Sequence, residues 1–86
     1  MKCSQVVFTE HAVLRMHERK ISRQEILEIV DQAYAIELYP EDRPFPSQLL
    51  LGCIHRRFLH VVIARDPSTE ICYIITLGDC STYGPD

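Results

Sequence analysis

F-T-E-H-A-V-L-R-M-H-E-R-K-I-S, residues Phe8 to Ser22, is the stretch from which the rest of the chain can be read. Thr9 has the side chain of an N-cap, and Glu10 sets an acid in the first turn, where the helix dipole favours it. The spacing predicts a helix to about Lys20, with the cations of Arg19 and Lys20 at its favourable end. Residues three and four apart share a helix face, so His11, Arg15, Arg19 and, less squarely, Glu18 form one polar ridge. The other side carries Ala12, Val13 and Met16, with Leu14 at the flank, a stripe suited to packing on a sheet. The ridge has two readings. An imidazole with two guanidiniums suits a phosphate or carboxylate, because arginine offers a planar fork of donors and histidine titrates near neutrality. Charged residues are also what any solvent-facing helix carries.

Working outward, Ile21 makes a turn and Ser22 with Glu25 forms a capping box. A second helix is expected to about Ala33 or Tyr34, with Ile26, Leu27, Val30, Ala33 and Tyr34 on its apolar stripe. Ala35 to Tyr39 is rich in strand formers, and the three prolines of P-E-D-R-P-F-P-S make the next segment a loop. Strands follow at Gln48 to Ile54, Phe58 to Arg65 and Glu70 to Leu77, separated by His55-Arg56-Arg57 and by the turn Asp66 to Thr69. Gln5 to Phe8 reads either as a short lead-in strand or as extended chain. Helices first and strands afterwards, with short connections, define an α+β class: two N-terminal helices on an antiparallel sheet of about four strands. Residues 78–86 lack apolar periodicity and are expected to form a flexible tail on a single domain, 1–86.

Composition limits the function classes. At 86 residues and 47% apolar there is one thin core, for which a homodimer or a partner protein is a natural supplement. Neither a signal-peptide pattern nor a run of about 20 apolar residues is present, so a soluble cytoplasmic protein without membrane contact is expected. Cys3, Cys53, Cys72 and Cys80 show no metal-binding spacing. Cys53 and Cys72 fall in apolar runs and are expected to be buried and reduced, with neither zinc nor a disulfide framework. The net charge of −3 conceals a polarity: residues 1–23 hold five cations against two acids, and residues 24–46 hold six acids against one arginine. An anion site local to the first helix is compatible with that distribution.

No nucleotide-binding glycine loop, zinc-protease motif or nucleophile elbow occurs. The residues left for chemistry are His11, Arg15 and Arg19, with His60 in the third of the later strands, where alternation puts it on the side of Val62. A histidine in a strand is more often structural than catalytic. Lys20, Arg56 and Arg57 are further cations suited to a phosphate backbone, although basic residues at a hairpin tip are usually only solvated. His17 points off the ridge, and Tyr39, Tyr73 and Tyr83 read chiefly as packing residues.

The segment from His11 to Ile21 also resembles the opening motif H-A-x-x-R-M-x-x-R-x-I of an uncharacterised family of small prokaryotic proteins. In that family a capping-box helix follows, then a strand closing on glycine (here Leu49 to Gly52), a strand containing H-V-V (Phe58 to Val62) and a last strand ending in threonine (Ile71 to Thr76). The family is similar at a distance to RelE/ParE-like and BrnT-like toxins. The resemblance implies a RelE-like fold, an antitoxin partner (often of zinc-finger type) and cleavage of RNA without a metal or other cofactor. It assigns the polar positions to His11, Arg15, Arg19 and His60. The tail departs from the pattern, having no tryptophan and only Tyr83 as an aromatic near its end.

The leading expectation is therefore a toxin-like RNA-binding protein and metal-independent endoribonuclease, with His11 or His60 transferring protons and Arg15 and Arg19 holding phosphate. The alternative is a non-catalytic interaction module whose ridge meets an acidic partner, and a third reading is a structural homodimer.

Overall fold

The computed structural model describes residues 2–79. Both helix starts form as their caps require. The Thr9 hydroxyl accepts from the Ala12 N–H at 3.2 Å and opens α1, Glu10–Arg19. The same hydroxyl donates to the Ile74 carbonyl at 2.7 Å, so the cap also ties the helix to the sheet. Lys20, in the left-handed region at φ 56°, ends α1. Ser22 and Glu25 exchange both bonds of the capping box at the start of α2, Arg23–Gln32.

The sheet has five strands, one more than expected, and is mixed. β1 (Gln5–Phe8), β2 (Tyr34–Tyr39), β3 (Ser47–Ile54), β4 (Arg57–Arg65) and β5 (Ile71–Asp79) lie in the order β1-β5-β4-β3-β2. The β2-to-β5 meander is antiparallel, as its short connections demand, whereas β1 pairs parallel with β5. Four residues with no neighbouring hairpin give no local sign of a partner that lies more than sixty residues away. β5 also continues two residues beyond Leu77, so Gly78 and Asp79 belong to the sheet rather than to a tail. The rest of the expected tail, with Tyr83, lies outside the described residues.

One sheet face carries the core. Leu50, Leu59, Val61, Ile63, Ile74 and Leu77 are buried beneath Ile26, Ile29 and Val30 of α2 and Ala12 and Met16 of α1. A Cβ on Gly52 would stand 2.5 Å from the Ile29 Cδ1, so glycine lets α2 settle directly on β3. Arg23 lies 4.9 Å from the Phe8 ring centroid and links the start of α2 to the end of β1.

The expected apolar stripes need revision. On α1 only Ala12 and Met16 are buried, while Val13 and Leu14 are each more than half exposed, because α1 flanks the sheet edge and touches it along a narrow strip. On α2 the buried residues are Ile26, Ile29 and Val30. Tyr34 has left the helix for β2 and is 83% exposed. The cysteine reading is corrected too. Cys72 is buried but bonded to Cys3 in a disulfide, and Cys53 is exposed because it faces away from the helices. The β3–β4 turn consists of His55 and Arg56 alone, both at positive φ, which is the two-residue geometry that suits the sheet's twist. Phe45 stacks on Tyr73 at 5.6 Å between ring centroids, which gives Tyr73 the packing role expected of it.

Among the described residues, no helix is long and apolar enough to cross a membrane.

Candidate functional site: the α1 ridge and the far half of β5

β1 pairs only with the first half of β5, its last partner being Ile74. Where β1 stops, Thr9 turns the chain into α1, which then runs beside the second half of β5. This geometry brings the ridge to the strand edge. The His11 Nε2 lies 3.0 Å from the Thr76 Oγ1. One turn further on, the Arg15 Nε donates to the Leu77 carbonyl at 3.4 Å. Arg15 also pairs with Glu18 at 3.7 Å, a half-exposed contact of the kind worth at most about 1 kcal/mol.

His60 approaches the same half-strand from β4, where it is registered opposite Gly78. Its ring occupies the space a side chain at position 78 would need: a Cβ there would lie 2.6 Å from the Cε1 and 2.8 Å from the Nε2. Gly78 is therefore the floor on which the imidazole rests. Period-two alternation puts Thr76 and Gly78 on the same face of β5, about 7 Å apart along the strand. His11 and His60 thus address neighbouring same-face positions of one strand.

Electrostatics ties the arginines to His60. The pKa of His60 is lowered, first by burial and then by the charges of Arg15 and Arg19, while Asp79 opposes them. Each of the first two effects favours the neutral ring, the form that can accept a proton. A titration followed by NMR should give a His60 midpoint below 6.5 that rises in Arg15→Ala or Arg19→Ala and falls further in Asp79→Asn. A midpoint indifferent to all three would separate His60 from the ridge. Folding linkage has the matching sign. The unfolded chain takes up its proton at the higher pH, so this contribution is complete above about 6.5 and declines as pH falls toward the native pKa.

The other cations divide. Lys20 and Arg56 are exposed, at the end of α1 and in the β3–β4 turn. Arg57 has partners within the fold. Its guanidinium donates to the carbonyls of Arg19 at 3.0 Å and Lys20 at 3.3 Å, and lies 3.5 Å from the Asp79 carboxylate. It caps the end of α1 and fixes Arg19 relative to the sheet. Helical spacing and strand alternation point neither to Gly78 and Asp79 nor to this capping role. The available signal was a glycine–aspartate pair at the end of an apolar strand, but its meaning depends on the register with His60. Among the described residues, no three His, Cys, Asp or Glu side chains cluster as metal ligands would.

The family described as a domain of unknown function (DUF4258) matches residues 8–79. No curated protein and no solved structure matches the chain.

Proposed function

The chain belongs to the DUF4258 family, and from that premise we propose that it is a toxin-like protein that binds single-stranded RNA and cleaves it without a metal. The supporting observation is a half-buried histidine whose pKa is lowered by burial and by the charges of Arg15 and Arg19, resting on Gly78 two residues from the Thr76 that His11 contacts. In this reading His60 takes the proton of a ribose 2′-hydroxyl, and the 2′ oxygen attacks phosphorus. The bond from phosphorus to the 5′ oxygen breaks as His11 supplies a proton to that oxygen, leaving a 2′,3′-cyclic phosphate and a 5′-hydroxyl. Arg15 and Arg19 stabilise the charge that builds on the phosphoryl oxygens, where preorganised donors are most effective. The RelE-like likeness and an antitoxin partner belong to the same proposal.

The mechanism makes the 2′-hydroxyl indispensable. A single-stranded RNA oligonucleotide should yield a cyclic-phosphate product, and the same sequence with 2′-deoxyribose at every position should bind and remain intact. Cleavage of the deoxy strand would exclude this chemistry, and the absence of both binding and cleavage would exclude the function.

A further inference from the structure

The two edges of the sheet are protected unequally. On one side, β1 and α1 together run along β5. On the other, β2 is the outermost strand and no described element lies beside it. Every residue of β2 except Tyr39 is exposed, including Tyr34 at 83%, Ile36 at 57% and Leu38 at 67%. Proteins usually blunt such an edge with charges, proline or a bulge, because its outer row of backbone N–H and C=O groups is a template for another strand. Here Glu37 is the only charge within β2, and the single register shift falls between Ala35 and Glu37.

Apolar grooves lie at both ends of this edge. One of about 290 Å³ is bounded by Tyr34, Ile29, Leu51 and Phe58. The other, of about 320 Å³, is bounded by Leu38, Pro40, Pro46 and Ile63 and also by Arg65, whose charge is paired with Glu70 at 3.3 Å. An added strand gains affinity from backbone bonds and specificity from pockets for its alternate side chains, and this edge offers both.

Charge decides the occupant. Asp31, Glu37, Glu41 and Asp42 are exposed around the edge, within the segment 24–46 that holds six acids and one arginine. A second copy adding through its own β2 would bring two such acidic segments together. We propose that the outer edge of β2 docks an extended, basic segment of a partner protein, which joins the sheet as a sixth strand with apolar side chains toward the two grooves. The surface lies at the opposite edge from the histidine–arginine set, so it is independent of the RNA reading.

The probe is a fluorescent peptide of about seven residues alternating valine and lysine, long enough to span the edge. Its glutamate counterpart serves as the control. The lysine peptide should bind at least tenfold more tightly, with amide shifts concentrated at residues 34–39. Leu38→Ser, at an exposed position, should weaken binding about tenfold without changing the thermal midpoint, and Glu37→Lys should reduce or reverse the preference for lysine over glutamate. Equal binding of the two peptides, no binding of either, or shifts confined to α1 would overturn the proposal. So would a dimer in sedimentation that Leu38→Ser abolishes, since a second copy would then be the occupant.

Discussion

Arg15→Ala is expected to reduce RNA cleavage by at least about a hundredfold, the loss typical of removing one donor aimed at developing transition-state charge. The fold should barely register the change. Its bond to the Leu77 carbonyl is long at 3.4 Å, and its pair with Glu18 is half exposed. Unfolding free energy should therefore fall by no more than about 1 kcal/mol. A second readout separates a catalytic role from a scaffolding one. Because the Arg15 charge holds the His60 pKa down, the acid limb of the pH–rate profile should move to higher pH in the residual activity. Arg15→Lys keeps the charge but loses the planar fork, so it should restore the pH profile better than the rate. Unchanged cleavage in a well-folded Arg15→Ala protein would remove this residue from the mechanism.

What the chain disclosed in advance follows from the range of the forces involved. Both N-caps and the capping box depend on side chains within three residues of the groups they satisfy, and Thr9, Ser22 and Glu25 do as their positions dictate. The alternation of Phe58 to Arg65 likewise separated Leu59, Val61 and Ile63 from His60, and the first three are fully buried. Helical spacing gathered His11, Arg15 and Arg19 on one face for the same local reason. Long-range contacts were illegible. Nothing near Gln5 to Phe8 announces a parallel partner in β5, and nothing near Gly78 announces the ring of His60 above it. The exposed Val13 and Leu14 show the same limit: amphipathicity marks an apolar side of a helix but not how much of that side a neighbour covers. The candidate site was thus half visible, as a ridge without its floor.

The largest stability effect is expected at the bond joining Cys3 to Cys72, residues 69 apart in sequence. Closing a loop of that length removes unfolded-state entropy equivalent to roughly 4 kcal/mol in the chain-entropy account, a large share of the 5–15 kcal/mol typical of a whole domain. Cys3→Ala is the preferable variant, because Cys3 is only partly buried whereas Cys72 is fully enclosed and its replacement would also disturb packing. Urea denaturation should show Cys3→Ala less stable by about 2–4 kcal/mol, and a thiol reductant should bring the unaltered protein to the same midpoint. The native fold should survive the loss, because other ties hold the segment. The Ser4 N–H donates to the Glu70 carbonyl at 2.9 Å, its hydroxyl to the Thr69 carbonyl at 2.8 Å, and the Arg65 Nε to the Lys2 carbonyl at 2.8 Å. Hydrogen exchange should accordingly accelerate most in β1 and least in β3 and β4, which lie deeper in the sheet. Reducing compartments keep such thiols apart, so the value measured with reductant is the one that applies in a reducing environment. A midpoint unmoved by either reductant or Cys3→Ala would mean that the covalent link adds nothing to what those hydrogen bonds and the β1–β5 pairing already secure.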